Sequence, residues 1–218
     1  MNHKPLRARA LALTAALLCT ATLLPACAPL LIGGAMVGGG MVAIDRRTSG
    51  AQVEDETNEL KGSSRIGDLA TLGHVSVTSY NRMLLLTGEV PTENDKLRAG
   101  EAVRQMENVR GVYNELAVMP NSSIGNRSND AILSAKVKAT LIDAKDLQAN
   151  AVKVVTERSI VYLMGRVTER EATRAADLAR AVPGVRKVVR VFEVISEAEL
   201  AGLAAQNSAP NKATTTKP

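Results

Sequence analysis

Residues 152–194 read VKVVTERSIVYLMGRVTEREATRAADLARAVPGVRKVVRVFEV. Alternating apolar positions at the start predict a strand, and Glu157–Ser159 predicts the turn after it. An apolar strand follows and ends in Gly165. A polar helix then begins at the capping box Thr168–Glu171 and stops at Pro183-Gly184, before a last strand rich in valine. The stretch therefore predicts most of one small α+β domain.

The same pattern occurs earlier in the chain, at a shift of 77 positions. Apolar and glycine positions of the paired strands superimpose: Val75, Leu86 and Gly88 fall on Val152, Leu163 and Gly165. After one deletion the shift is 76, and Val112 falls on Val188. Self-similarity at a fixed period indicates a tandem duplication. We therefore expect two domains of about 70 residues, each burying only about 60% of its unfolded surface and marginally stable unless it packs on the other.

Each copy is predicted to run helix, strand, strand, helix, strand. The first helix of the first copy follows Glu54–Thr57, and we expect the stretch Leu60–Ser64 to break it. The last strand of this copy is predicted at Val109–Met119. The second copy opens with Asn129-Asp130 as the N-cap of a helix from Ala131 to about Ile142. Its inward stripe is predicted to be Leu133, Val137 and Leu141.

The predicted fold class is α+β, with two helices covering one face of each three-stranded sheet. The other face is left for solvent or for the sister copy. Gly88 and Gly165 are expected to serve backbone geometry and not chemistry. The predicted segments are a signal peptide (1–26), an anchor and tether (27–47), a first domain (48–120), a linker (121–128), a second domain (129–195) and a disordered tail (196–218).

The N-terminal segment has the features of a secretory signal, with a basic start and the apolar run Leu11–Leu24. Leu24-Pro25-Ala26-Cys27 resembles the bacterial lipobox. The resemblance implies cleavage before Cys27 and acylation of that cysteine. The next residue is Ala28 and not aspartate, which by the same resemblance favours the outer membrane. An ordinary secreted protein with a stray cysteine is the alternative.

The segment 28–44 is apolar and rich in glycine, and at 17 residues it is at the short limit for a membrane span. We interpret it as a flexible tether that lies near the acyl chains. Gly34 and Gly38 have the spacing of a close-packing helix motif, so an oligomerising hairpin stays open. The other cysteine, Cys19, also precedes the folded domains, which excludes a disulfide within them.

The two copies carry opposite charge. Residues 45–120 contain 9 basic and 12 acidic residues, a net charge of −3, whereas residues 128–195 contain 12 basic and 8 acidic residues, a net charge of +4. Drift after duplication is one explanation. The other is that the second copy meets an anionic partner, for which nucleic acid and an anionic membrane both fit the charge.

Three segments of the second copy, at residues 152–157, 161–165 and 167–172, resemble the BON domain, and the first copy is similar at 75–80, 84–88 and 112–115. A lipobox followed by two such domains resembles the dual-BON outer-membrane lipoproteins. The resemblance implies a periplasmic protein without catalysis or a cofactor, which supports outer-membrane integrity. It also implies binding of anionic phospholipid (phosphatidylglycerol or cardiolipin) through the second domain, and a link to the outer-membrane protein assembly machinery.

In that family the lipid contact centres on the first helix of the second domain, which has a tryptophan near its start. Ile132 occupies that position here, and isoleucine lacks the polar N–H with which tryptophan anchors at the headgroup level. The implied lipid-contacting residues are Ile132, Leu133, Lys136 and Lys138. The alternatives are that Ile132 packs on the other domain, that Leu133 is core and that the lysines are solvated. The basic run Arg186–Arg190 either extends this surface or blunts a sheet edge.

Catalysis and nucleic-acid binding have little support. The sequence has no nucleophile elbow, no phosphate-binding loop and no Cys/His metal pattern; its histidines are His3 and His74. With one Phe, three Tyr and no Trp, stacking aromatics are scarce. The sequence predicts a lipid-anchored module that recognises anionic phospholipid. The alternative is a protein-interaction scaffold whose acidic first domain faces the partner and whose only membrane contact is the acylated cysteine. An undetected hydrolase is a third, weaker hypothesis.

Overall fold

The computed structural model describes residues 45–69 and 73–208. Cys27, the signal segment and the apolar tether to residue 44 lie outside the described residues. The first domain contains α1 (Ser49–Gly67), β1 (His74–Tyr80), β2 (Met83–Val90), α2 (Glu93–Arg104), β3 (Gly111–Asn114) and β4 (Ala117–Val118). The second contains α3 (Ile124–Asp143), a 3₁₀ turn (Ala149–Ala151), β5 (Val152–Glu157), β6 (Ile160–Val167), α4 (Glu169–Ala181) and β7 (Lys187–Val194), and α5 (Glu197–Ser208) follows it. The predicted order is confirmed in both copies.

Each sheet is mixed and has its longest apolar strand in the middle. In the first domain, β2 pairs with β1 antiparallel and with β3 and β4 in parallel. In the second, β6 pairs with β5 antiparallel and with β7 in parallel. The last strand of the first domain is not continuous as predicted. Leu116 turns into the core between β3 and β4, and the Asn114 side chain donates to the carbonyl of Lys96 at 2.7 Å.

The predicted break in α1 is wrong, because the helix continues through Leu60–Ser64. Gly62 is buried against β1, and a Cβ there would lie 3.0 Å from Cγ1 of Val77. The missing side chain thus lets the helix approach the sheet, and this packing outweighs the low helix propensity of glycine. The Thr48 hydroxyl caps the helix by accepting from Ala51 N at 3.1 Å.

The predicted start of α3 is also wrong. The helix begins at Ile124, and the Ser123 hydroxyl, not Asn129-Asp130, caps it. Asp130 lies about two turns further inside and is buried. Its carboxylate accepts from the backbone N–H groups of Arg158 (2.7 Å) and Ser159 (2.8 Å). Both residues have positive φ, as a two-residue type I′ hairpin requires, so Asp130 fixes the β5–β6 turn to the helix.

Asp55 does the same in the first domain. Its carboxylate accepts from the backbone N–H groups of Asn81 and Arg82, both at 2.7 Å, and these residues also have positive φ. Burial alone would raise the pKa of Asp55, but hydrogen bonds from the Ser79 hydroxyl and the turn outweigh it and lower the pKa. An aspartate that joins the first helix to the hairpin turn is therefore a shared feature of the duplicated unit.

The helices and sheets form three apolar clusters. One lies under the helices of each domain, and both are built almost entirely from aliphatic side chains. The third joins the two sheets: Tyr80 and Leu85 of the first domain pack with Tyr162, Met164 and Val191 of the second. Strand alternation separates the clusters, since Leu84 and Leu86 face the helices. The order of layers is therefore helices, sheet, sheet, helices, and the free face of each sheet meets the sister copy.

A helix, α5, occupies Glu197–Ser208 at the start of the segment predicted to be a disordered tail, where residues 197–205 are compatible with a helix. The Ser196 hydroxyl accepts from Glu199 N at 3.1 Å, and the Glu199 carboxylate pairs with Arg166 at 2.7 Å. The cap and the ion pair give the helix a start and a contact with β6 that its weak apolar pattern does not reveal. Among the described residues, no helix is both long and apolar enough to cross a membrane.

Gly88→Ala should destabilise the chain. Gly88 has a φ of +115°, and a Cβ there would lie 2.0 Å from the carbonyl oxygen of His74. We expect a loss of about 2–4 kcal/mol in the free energy of unfolding, from backbone strain and separation of β1 and β2. Urea denaturation of the full chain measures it. Gly67→Ala, where nothing lies within 4 Å, is the control. Equal stability of the two variants would contradict the role assigned to Gly88.

Candidate functional site

The outward face of α3 carries an exposed apolar stripe. Residues spaced three or four apart share one face of a helix, and here all of them point away from the core. The stripe contains Ile124, Ala131, Ala135, Ala139 and Ile142, with the polar Ser128 between the first two. Ile132 lies beside it, and Ile124, Ile132 and Ile142 are 80%, 56% and 59% exposed. Three exposed isoleucines on one helix face form a surface suited to an apolar environment.

Two lysines flank the stripe, one on each side. Lys136 follows Ile132 by one turn, and Lys138 lies across the alanines from it. Both side chains are exposed, and neither pairs with an acidic group within residues 45–69 and 73–208. The face therefore combines apolar side chains with unneutralised positive charge, the pattern of helices that lie at a membrane interface.

The structure separates the four predicted lipid-contacting residues. Ile132, Lys136 and Lys138 are on the outward face, and Ile132 does not pack on the first domain. Leu133 is 7% exposed and belongs to the core with Val137 and Leu141, as its place in the inward stripe predicted. Leu133 is therefore wrong as a surface contact, because α3 turns it toward the sheet.

Ile124 and Ile142 were missed as surface residues. The predicted helix began at Ala131, so Ile124 fell in the linker and the outward stripe was too short to recognise. Ser123 is a preferred N-cap residue, and its hydroxyl accepts from the N–H of Asn126 three residues later. It is the signal that would have extended the helix. Of the basic run, Arg190 pairs with Glu169 at 2.6 Å, while Lys187 is exposed and does not face α3.

A polar cavity of about 580 Å³ lies where the linker, the start of α3 and the β5–β6 turn meet. Its lining includes Glu89 of β2, Asn129 of α3, and Arg158 and Arg186. The Glu89 side chain is fully buried, and one of its oxygens accepts from the Ser122 N–H and hydroxyl at 3.2 Å. Its other oxygen has no hydrogen bond within the described residues. The cavity thus borders a buried charge at the domain junction.

A second buried carboxylate, Glu157, lies close to Glu89 across this junction. Burial first, and then the charges of Glu89 and Asp130, raise the pKa of Glu157 to about 7. Arg127 and Arg158 oppose the shift. Glu157 therefore titrates near neutral pH. The pKa of His74, the histidine nearby, is lowered by burial and by the charge of Arg127.

The site has no sign of metal or covalent chemistry within the described residues. No group of three histidine, cysteine or acidic side chains is placed to hold a metal ion there. Asp130, the other acidic group of the cavity, is already committed to the turn N–H groups. What the described surface offers is a binding face on α3.

The family model of the BON domain matches the chain twice, over residues 58–120 and 129–196. The outer membrane lipoprotein DolP of Haemophilus influenzae is 37% identical over 198 residues, which cover 89% of this chain and 100% of that protein. The 21 kDa hemolysin of Actinobacillus pleuropneumoniae is 32% identical over 155 residues, or 70% of this chain and 80% of that protein. The osmotically-inducible protein Y of Escherichia coli is 34% identical over 68 residues, 31% of this chain and 34% of that protein.

Glu157→Gln should stabilise the chain at alkaline pH. Folding raises the pKa of Glu157 to about 7, so the folded state of the native chain loses stability as pH rises from the ordinary glutamate pKa toward 7. Glutamine removes that dependence. We expect the variant to melt a few degrees higher than the native chain at pH 8, and at nearly the same temperature at pH 5. Glu107→Gln, an exposed site, is the control. An equal effect at both pH values would contradict the buried ionisation.

Proposed function

The chain belongs to the BON-domain family, and on that premise we propose that it is a periplasmic outer-membrane lipoprotein that binds anionic phospholipid through its second domain. In this proposal Cys27 carries the acyl anchor, α3 makes the lipid contact, and the protein maintains the outer-membrane barrier. Phosphatidylglycerol and cardiolipin are the proposed lipids. No step requires catalysis or a cofactor.

The observation that carries the lipid proposal is the outward face of α3. Ile124, Ile132 and Ile142 extend along one side of the helix, and two lysines that pair with no acidic group in the described part of the chain flank them. A surface in water gains nothing from three exposed isoleucines spread along one helix, whereas an interface gains by burying them. Burial of apolar area contributes about 25 cal/mol per Å², and each lysine near an anionic surface adds about 1 kcal/mol.

The outer-membrane location is proposed from the N-terminus and from one relative. Cys27 has the lipobox-like residues before it and Ala28 after it. The relative that aligns along its full length with this chain is named an outer membrane lipoprotein. Several acyl chains on one cysteine give stable anchoring, because each buried methylene contributes about 0.8 kcal/mol.

A second function, docking of a protein partner, is supported by α1. Val53 and Leu60 are seven residues apart on its exposed side, at 64% and 75% exposure. The exposed Glu56 lies beside them, in keeping with the net negative charge of this domain, while Glu54 and Glu59 pair with Arg82 and Lys153. We propose this face as the contact for an envelope assembly partner if α3 does not bind lipid.

Removing charge from α3 should weaken lipid binding. The chain from residue 45 onward, without the anchor, is expected to bind vesicles that contain phosphatidylglycerol and to release them at high salt. Lys136→Gln with Lys138→Gln should weaken binding by about thirtyfold, at about 1 kcal/mol for each lysine. Ile132→Asp should also lose binding, and Val53→Asp on α1 is the control. Vesicle co-sedimentation measures both. Binding to neutral vesicles alone, or none at all, would refute the phospholipid proposal.

Cys27→Ser should release the protein from the membrane. Serine cannot receive the thioether-linked diacylglyceryl group, so the chain loses its anchor. Intact-mass measurement should show the acyl mass on the native chain and not on the variant, and fractionation should move the variant out of the membrane pellet. Cys19→Ser, within the predicted signal segment, is the matched control. If the native chain is acylated but its N-terminal residue is not Cys27, the proposed site is ruled out.

A further inference from the structure

The three residues after the apolar segment, Asp45–Arg47, lie outside both BON matches and yet are folded into the domain pair. The Arg46 guanidinium forms two bonds with the Glu171 carboxylate, at 2.7 and 2.8 Å. The exposed fractions of the two side chains are 7% and 5%. Arg46 also donates to the carbonyl of Arg166 at 2.9 Å, and Arg166 donates back to the carbonyl of Arg46 at 3.0 Å. Both partners belong to the second domain.

The next residue, Arg47, contacts the first domain instead. Its guanidinium pairs with Asp55 of α1 at 2.7 Å and lies over the Tyr80 ring, 4.4 Å from its centroid. The Tyr80 hydroxyl in turn donates to the carbonyl of Ala151 at 3.4 Å. Arg46 therefore reaches the second domain while the adjacent Arg47, in the same bend of the chain, holds the first.

We propose that Arg46 and Glu171 form a clamp that makes the lipid anchor leave the protein from the second domain, although the anchor precedes the first domain in sequence. The clamp thereby presents α3, and not α1 or α2, to the membrane. This inference rests on the proposed acylation of Cys27. It explains how the second of two domains is the one that meets the bilayer.

The clamp lies at the end of the second domain where α3 finishes. Glu171 is in the first turn of α4, and its neighbours Arg170 and Arg174 bond to Asp146, which follows α3 in the chain. Ile142 lies at that end of α3, whereas the linker and the polar cavity lie at the other end. The anchor-proximal segment therefore lies toward the same end of the second domain as Ile142, at one end of the apolar stripe.

The chemistry of the pair keeps the clamp closed. Burial alone would raise the pKa of Glu171, but the bonds from Arg46 and from the Thr168 N–H outweigh it and lower the pKa. A buried, bidentate arginine–carboxylate pair is shielded from salt and from competing phosphates. Without Arg46, the buried Glu171 carboxylate would keep only its bond from the helix cap. A buried charge that has lost its partner is strongly unfavourable, and this disfavours the docked position of the segment.

Energy transfer from the anchored full chain to acceptor lipids tests the clamp. A dye is placed on α3 (Ala139→Cys) or on α2 (Leu97→Cys), both at exposed positions. The layers put about 30 Å between these faces. Each new cysteine is the one free thiol of the mature chain if Cys19 leaves with the signal and Cys27 is acylated, which intact mass checks. Each labelled form of the anchored chain is inserted into vesicles of neutral lipid, with and without phosphatidylglycerol.

In the native chain the α3 dye should transfer more efficiently than the α2 dye in both kinds of vesicle. Arg46→Ala should reduce that difference by more than half, and Arg46→Lys, which keeps the charge but not the two parallel bonds, should reduce it less. Thr168→Ala removes the hydroxyl cap of α4 but leaves the clamp, so it should keep the difference. Circular dichroism confirms that each variant is folded.

No difference between the dyes in the native chain, or an unchanged difference in a folded Arg46→Ala, overturns the clamp. An equal reduction of this difference in Thr168→Ala also overturns the clamp, because loss of the α4 cap would then explain the effect of Arg46→Ala. The proposed lipid recognition fails separately. If phosphatidylglycerol has no effect on the chain without its anchor, but Arg46→Ala still removes the difference, the clamp stands and the lipid specificity does not.

Discussion

The contact between the two sheets is the interaction on which the rest of the structure depends. Each domain has one sheet and two helices, too small a body to bury a second apolar sheet face by itself. Tyr80 and Leu85 of one sheet meet Tyr162 and Met164 of the other, so both faces of each central strand are covered. This is why β2 and β6 are apolar at consecutive positions and do not alternate. Two of the three tyrosines in this aromatic-poor chain lie at this contact.

Sheet-to-sheet packing leaves all four domain helices on the outside, in two opposite layers. A surface that recognises a partner is then a helix face, a sheet edge or a seam between the domains. The two helix layers differ in charge, acidic around α1 and basic around α3, so they are not equivalent as surfaces. A membrane can meet only one of them at a time. If the chain is anchored as proposed, the segment that joins the anchor to the body bears on which layer faces the bilayer, and there Arg46 pairs with the second domain and Arg47 with the first.

The repeat, the order of the elements and the inward stripe of α3 were all predictable, because they depend on local periodicity. The length of α1 was not, since Gly62 looks like a helix breaker and only its contact with Val77 shows why the helix continues. The start of α3 was misplaced because Asp130 is a good capping residue that the fold uses for the hairpin turn instead. Ile132 and the two lysines were found through a family resemblance, whereas Ile124 and Ile142 depended on the true length of the helix. Arg46 and Glu171 are 125 residues apart, and no local pattern pairs them.

Replacing one tryptophan by several isoleucines changes how a helix meets a membrane. Tryptophan anchors at the headgroup level through a large ring and an N–H, and a single residue suffices. Isoleucine has no polar group, so it contributes only buried area, and several must act together. In α3 they extend from Ile124 to Ile142, about 27 Å of helix at about 1.5 Å per residue. The proposed lipid contact, spread over that length, would require the helix to lie flat on the surface and would leave recognition of headgroup charge to Lys136 and Lys138.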